Sequence, residues 1–186
     1  MLSPRAAAKA AAQVGLPELK TAASIYRVLL HQPRLARQIN DLFETLLMEC
    51  DLDARLRELV VLRIGWTNEG VYEWTQHWRI AQQIGIEECD LLAVRDWREH
   101  GHWSREDTAA LRATDEILAE GVISPETWAL CCETLPSDRQ RLELVVTIGT
   151  WKMISDLLKC LEVPLEDGLE PWPPHGESPA SLAHSA

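Results

Sequence analysis

The stretch that decides the fold is RELVVLRIGWTNEGVYEWTQHWRIAQQIG, residues 57–85. Apolar side chains recur at helical spacing over residues 56–66 and again over residues 71–84. Between them, residues 67–70 combine two capping residues with a glycine, which is a poor helix former. Gly85 is a typical stop for the second helix. The stretch therefore predicts two helices joined by a tight turn, and helices joined in this way usually pack antiparallel.

The helical period continues along the rest of the chain, and no alternating strand pattern appears. Three further helix starts carry capping signals: Ser104 with Asp107, Ser124 before Pro125, and Ser137 with Gln140. The chain has 186 residues, which is enough for one domain with a sizeable core. We predict an all-α protein with an N-terminal extension over 1–20, a helical domain over 21–166 and a disordered, Pro-rich tail over 167–186.

Composition excludes several classes of function. A formal net charge of −11 repels phosphate backbones, so we predict no nucleic-acid partner. No run of 18 apolar residues is present, so we predict no membrane partner. The five cysteines include no C-x-x-C pair, and reduced thiols in a cytoplasmic protein are the simplest interpretation.

One short motif occurs twice. Glu58-Leu59-Val60-Val61 recurs as Glu143-Leu144-Val145-Val146, and an Ile-Gly pair follows each copy, at residues 64–65 and 148–149. If the repeat is more than coincidence, it predicts two similar helical hairpins. The glycine of each copy would then permit close approach of a second helix.

Glu58, Glu73 and His77 are the candidate catalytic residues. Glu73 and His77 are four residues apart and share one face of the predicted helix, while apolar residues such as Ala81 continue that face into the core. Glu58 lies about two turns before the break and His77 about two turns after it. We therefore expect Glu58 and His77 to meet across the hairpin.

This set of residues permits three interpretations. A buried histidine held by carboxylates can transfer protons at neutral pH. Glu73 and His77 also fit a purely structural pair on one helix. Glu58, Glu73 and His77 could be metal ligands, but catalytic metal sites need three convergent ligands and the spacing gives only a weak indication of this. We therefore predict no metal and no cofactor.

The pattern resembles a known family. The run over 57–63, followed by Tyr-Glu-Trp-x-x-His at 72–77 and Ala-x-x-x-Gly at 81–85, is similar to the carboxymuconolactone decarboxylase and alkylhydroperoxidase D-like pattern. The spacing of 19 between Glu58 and His77 matches the glutamate and histidine of that family. The resemblance extends over about residues 25–165. It implies an all-α, alkylhydroperoxidase D-like helical bundle that forms homo-oligomers, either dimers, trimers or hexamers.

The resemblance also separates two branches of the family. Peroxide-reducing members carry C-x-x-C, whose cysteine positions are Gly70 and Glu73 in this chain, so a thiol nucleophile is absent there. The decarboxylase-like branch has Glu where this chain has Glu73. It therefore implies a cofactor-free lyase or isomerase that acts on a small carboxylated or lactone substrate. In that reading Glu58, Glu73 and His77 are catalytic, and the substrate-binding residues are Tyr72, Trp74 and Arg63.

Two other functions stay open at this stage. The chain could be a member with peroxidase ancestry and no C-x-x-C redox activity, or a non-enzymatic oligomer that binds a small ligand. Kinship in fold does not decide among the three.

Overall fold

The computed structural model describes residues 1–99 and 102–183, and within these ranges the chain is helical with no strand. The prediction of an all-α fold is confirmed. No helix in the described ranges combines the length and the apolar character needed to cross a membrane. The helices are α1 (Pro4–Gln13), α2 (Ser24–Leu29), α3 (Pro33–Met48), α4 (Ala54–Thr67), α5 (Val71–Gln83), α6 (Glu88–Ala93), α7 (Arg105–Glu120), α8 (Pro125–Thr134), α9 (Asp138–Cys160) and α10 (Pro179–Ala183), with 3-10 turns at Glu18–Ala22 and Val94–Asp96.

The chain separates into two units, residues 1–49 with 158–169, and residues 50–157 with 170–183. In the first unit the predicted N-terminal extension is ordered, because α1 and the 3-10 turn at Glu18–Ala22 occupy most of it. Inside this unit the Tyr26 hydroxyl donates to Asn40 Oδ1 at 2.8 Å. The candidate catalytic residues all belong to the second unit.

The predicted hairpin is formed by α4 and α5. The Asp53 side chain caps α4 by accepting from the Leu56 backbone N–H at 3.1 Å, which satisfies one of the free donors of the first turn. The two helices approach closely at Gly65, since a Cβ placed there would lie 3.0 Å from the Trp74 backbone nitrogen. The glycine predicted to permit close approach therefore does so in this copy of the motif.

The core of the second unit contains many of the chain's tryptophans. Trp66, Trp74 and Trp78 pack with aliphatic side chains of α4 to α7, and Trp172 covers part of this cluster. Tilted and edge-on ring contacts at centroid distances of 5.0–5.8 Å connect Trp66, Trp74, Trp78 and Trp172. Such contacts add stabilisation beyond burial alone.

The C-terminal segment differs from the predicted disordered tail over 167–186. Trp172 packs on Trp66, and Trp74 Nε1 donates to the Pro173 carbonyl oxygen at 2.9 Å. Proline and glycine dominate the composition of this segment, but one large aromatic ring gives it an apolar contact in the core. Residues 184–186 of the predicted tail lie outside the described residues.

Candidate active site

Glu58 and His77 meet across the hairpin, as their spacing predicts. Glu58 Oε2 and His77 Nδ1 are 2.7 Å apart, Glu58 is fully buried, and His77 is only 9% exposed. On the other side Arg57 Nε donates to Glu58 Oε1 at 3.2 Å. A buried carboxylate is costly unless it is paired, and here both of its oxygens have a partner.

Trp151 of α9 fixes the state of the His77 ring. Its indole Nε1 donates to His77 Nε2 at 2.9 Å, and an indole N–H can only donate. His77 Nε2 therefore carries a lone pair, and the ring proton sits on Nδ1, where it is donated to Glu58 Oε2. The resulting chain of hydrogen bonds runs from Trp151 through His77 to Glu58 and Arg57.

Glu73 lies one turn before His77 on α5 and has a different environment. Its side chain is 2% exposed, and within the described residues neither carboxyl oxygen has a partner in hydrogen-bond geometry. The Ser155 hydroxyl of α9 faces the same space, since a Cβ placed on Gly70 would lie 2.7 Å from Ser155 Oγ and 3.5 Å from Glu73 Oε2. A larger residue at position 70 would fill this space.

The two buried carboxyl groups have pKa values displaced in opposite directions. Burial raises the pKa of Glu73 well above its ordinary value; the nearby Ser155 hydroxyl opposes this shift and the charge of Asp156 adds to it. Burial also acts to raise the pKa of Glu58, but the interactions with His77 and Arg57 outweigh it and lower the pKa. The surroundings of Glu58 therefore favour its ionised form, whereas those of Glu73 favour its protonated form.

The predicted substrate-binding residues are not all gathered at this pair. Arg63 is engaged elsewhere: its Nε donates to Asp115 at 2.6 Å, and its Nη1 donates to the Val94 and Arg95 carbonyls. Trp74 is fully buried in the tryptophan cluster. Tyr72 is buried near the start of α5. The structure thus unites Glu58 and His77, sets Glu73 one turn away, and holds Arg63 in a separate ion pair.

Sequence reasoning missed Trp151 and Ser155. Both lie on α9, four residues apart, and therefore share one face of that helix. Trp151 contacts His77, and Ser155 faces Glu73. Glu73 and His77 are also four residues apart. The spacing on α9 was readable, but nothing local indicated which helix that face would contact.

Within the described ranges, no three His, Cys, Asp or Glu side chains converge as a metal site would require. The residues of the site present proton donors and acceptors at defined positions, as the hydrogen bonds of His77 show. The chemistry that this arrangement can supply is acid–base.

The comparisons with known proteins agree with this architecture. The model of the carboxymuconolactone decarboxylase family matches residues 33–116, which include Glu58, Glu73 and His77. This match covers slightly less than half of the chain. The family match ends before α9, so Trp151 and Ser155 lie outside it. No curated protein gives a significant match.

Solved structures that resemble the chain are alkylhydroperoxidase D-like. An AhpD-like protein of unknown function from Agrobacterium tumefaciens has a TM-score of 0.67 at 17% identity, covering 73% of this chain and 92% of its own. The AhpD core of an uncharacterized peroxidase-related protein from Ralstonia eutropha has a TM-score of 0.69 at 13% identity, and the match covers 86% of this chain and 82% of its own. An uncharacterized peroxidase-related protein from a Silicibacter species has a TM-score of 0.66 at 13% identity, and the match covers 91% of this chain and 84% of its own. At these identities the likeness establishes the fold of this family and nothing finer.

Proposed function

We propose that this carboxymuconolactone decarboxylase family member is a cofactor-free enzyme of the lyase or isomerase type. It would transfer protons on a small carboxylated or lactone substrate by means of Glu58, His77 and Glu73. The observation that carries the proposal is the buried Glu58–His77 pair, 2.7 Å apart, with a second buried carboxyl group, Glu73, one turn away on α5 and with its pKa displaced in the opposite direction. When the pKa values of two carboxyl groups differ in this way, one group can be ionised while the other is protonated at the same pH.

Each residue has a distinct role in this proposal. Glu58 stays ionised, fixes the His77 tautomer and would stabilise the imidazolium. His77 Nε2 is the base, available once the Trp151 indole moves aside. Burial favours the protonated form of Glu73, which is the acid.

The chemistry balances without a cofactor. In a decarboxylation, the bond to the carboxylate breaks, CO₂ leaves, and the electron pair remains as an enolate on the substrate. Glu73 gives its proton to the carbanionic carbon and is reprotonated from water. In an isomerisation, His77 Nε2 removes a proton from one carbon and Glu73 protonates another.

The identity of residues 70 and 73 supports this activity over thiol peroxidase chemistry. In the peroxide-reducing branch these positions are cysteines, whereas here they are Gly70 and Glu73. Without a thiolate there is no nucleophile to attack a peroxide. A chain of peroxidase ancestry with no C-x-x-C redox activity is the reading that remains if acid–base turnover is absent.

One observation favours a second candidate function. Both ring nitrogens of His77 have hydrogen-bond partners, Glu58 and Trp151, as they would in a structural histidine. A non-enzymatic homo-oligomer that binds a small ligand would use this network for rigidity alone. The two functions differ in whether Trp151 can uncover Nε2.

Solvent deuterium exchange separates the candidates. The protein is incubated in D₂O with a panel of β-keto acids and lactone carboxylates, and loss of the α-proton signal and CO₂ release are followed by NMR. We expect the wild type to accelerate exchange or release for one class, and His77→Gln and Glu73→Gln to slow it by about 100-fold or more. Glu143→Gln, a glutamate in the second copy of the motif, is the matched control and should retain the wild-type rate.

Trp151→Phe tests the role of the indole cap. It removes the N–H donor but keeps an aromatic ring, so in an enzyme it should leave His77 Nε2 free and preserve exchange. If the wild type and Trp151→Phe both leave every substrate of the panel unchanged, the acid–base proposal fails and the structural role of His77 stands.

A further inference from the structure

A cluster on the hairpin, separate from the Glu58–His77 pair, has the composition of a ligand site. We call Trp66, Trp74 and Arg95 the tryptophan cage. The two indole rings lie 5.0 Å apart at 54°, and the Arg95 guanidinium lies 4.6 Å from the Trp66 centroid and 5.3 Å from that of Trp74. Guanidinium groups on indole faces are favourable cation–π pairs.

Arg95 has capacity for a further anion contact. Its side chain is 10% exposed, and its Nε has no hydrogen-bond partner in the described part of the chain. Burial lowers its pKa, an effect that the hydrogen bond and charge of Glu177 oppose. A buried guanidinium with an unused N–H is suited to bind a carboxylate through two parallel hydrogen bonds.

The C-terminal segment now occupies the tryptophan cage. The Trp172 ring contacts Trp66 edge-on at 5.8 Å and Trp74 at 6.4 Å. The Pro173 carbonyl oxygen accepts from Trp74 Nε1 at 2.9 Å and from Arg95 Nη2 at 3.4 Å. Glu177 pairs with Arg95 Nη1 at 3.0 Å. The segment thus brings an aromatic ring, a carbonyl and a carboxylate to one place.

Several features make this occupant easy to displace. Glu177 is 45% exposed, and exposed ion pairs contribute little to stability. Trp172 has φ of +57°, a backbone conformation that a bulky residue adopts only at a cost. A cavity of about 270 Å³ adjoins the segment and is lined by Glu69, Val71, Trp172, Ser178, Pro179 and Ala180.

We propose that the tryptophan cage is a binding site for a small aromatic carboxylate, and that residues 172–177 are an internal ligand which that molecule displaces. The chemistry of the occupant defines the class of ligand. A planar ring replaces the Trp172 indole, and a carboxylate replaces Glu177 on Arg95. This site is independent of the proton-transfer site, so either can exist without the other.

The test uses phenylacetate, which combines a ring and a carboxylate, with the full-length chain. Binding is measured by calorimetry and by the shift of the Trp74 Nε1–H signal in ¹⁵N-labelled protein. Only molecules in which the segment has left the cage can bind phenylacetate, so the apparent affinity is lowered in proportion to the fraction of such molecules. Trp172→Ala raises that fraction and should bind phenylacetate at least about tenfold more tightly than the wild type. Trp128→Ala removes an exposed tryptophan of α8 as a matched control and should bind as the wild type does.

Two further comparisons identify the contacts. Adding Arg95→Gln to Trp172→Ala should weaken binding by at least about tenfold, since it removes the charged carboxylate partner. Acetate and benzyl alcohol each lack one of the two groups and should bind at least about tenfold more weakly than phenylacetate.

Glu177→Gln keeps the experiment decisive if Trp172→Ala does not fold. It removes only the exposed ion pair, and should tighten phenylacetate binding about two- to fivefold. The proposal is overturned if correctly folded Trp172→Ala and Glu177→Gln bind phenylacetate no better than the wild type. It is also overturned if Arg95→Gln has no effect on that binding.

Discussion

Helices α4 and α9 carry the same Glu-Leu-Val-Val motif with Ile-Gly after it, yet the two copies have different surroundings. What the two copies share is the burial of their leucines and isoleucines, since Leu59, Leu144, Ile64 and Ile148 are all fully buried. The valines already differ, because Val60 is fully buried whereas Val145 is 37% exposed. The motif therefore predicts a helix with a buried leucine and isoleucine, but not the burial of its other residues.

The glutamates and glycines show the difference most clearly. Glu58 is enclosed between Arg57 and His77, whereas Glu143 accepts from the backbone N–H groups of Asp51 and Leu52 at 2.8 and 2.9 Å. A Cβ at Gly65 would meet the backbone of α5, whereas one at Gly149 would meet nothing within 4 Å. The same four residues place a buried, ion-paired glutamate in α4. In α9 they place a glutamate that binds the backbone of the loop before α4. Tertiary packing, not the motif, creates the candidate active site.

Neutralising the two glutamates should give the largest difference. Glu58→Gln leaves the Arg57 charge buried without its counterion, and removing one partner of a buried pair costs about 3–5 kcal/mol. Glu143→Gln keeps an oxygen that can accept from the backbone, so its cost should be at most about 1 kcal/mol. Urea unfolding of both variants at pH 7 measures the two free energies. Equal losses would contradict the distinction between the copies.

Replacing each of the two glycines by alanine should change stability by a smaller amount, and in opposite directions in the two copies. Gly65→Ala forces a Cβ against the Trp74 backbone nitrogen at 3.0 Å, and overpacking of this kind costs about 1–3 kcal/mol. Gly149→Ala enters open space on an exposed part of α9, where alanine favours the helix by up to about 1 kcal/mol. Thermal unfolding of the two variants would show Tm moving down and up respectively. A decrease for Gly149→Ala would mean that this face is covered in solution.

The hairpin was predictable because its signals are local. Capping residues, a break at 67–70 and helical spacing are all read within 30 residues, and they suffice to bring Glu58 and His77 together. The all-α fold is confirmed, and the family model that this stretch predicted matches residues 33–116. The repeat was readable too, but it predicted similarity where the packing differs.

The remaining features depend on contacts between distant segments. Trp151 reaches His77 from 74 residues away, and Trp172 reaches Thr75 and the tryptophan cage from nearly 100. The ten buried residues of α4 lie on all sides of the helix and include charged ones, so the sequence pattern did not indicate that Arg63 pairs with Asp115. Periodicity identifies a buried face but not the residue that it contacts.

The last expected difference is a pH dependence of stability that distinguishes Glu73 from Glu58. The pKa of Glu73 is raised in the folded protein, so above its ordinary value of 4.5 the unfolded chain holds fewer protons than the folded one. The unfolding free energy therefore falls as pH rises from there towards the folded pKa. Glu73→Gln has no such loss, so its stability relative to the wild type should increase from pH 5 to pH 8. The pKa of Glu58 is lowered, so its contribution is complete above 4.5 and disappears only as pH falls through the folded value.

Urea unfolding at several pH values from 5 to 8 measures these slopes. Glu58→Gln should run parallel to the wild type over this range, displaced to lower stability, because the titration of Glu58 lies below it. Glu143→Gln, which changes the glutamate of the other copy of the motif, is the control and should be displaced little from the wild type at pH 7. If the difference between Glu73→Gln and the wild type is constant with pH, Glu73 is ionised throughout. The α4–α5 hairpin would then lack the neutral acid that distinguishes it from α9.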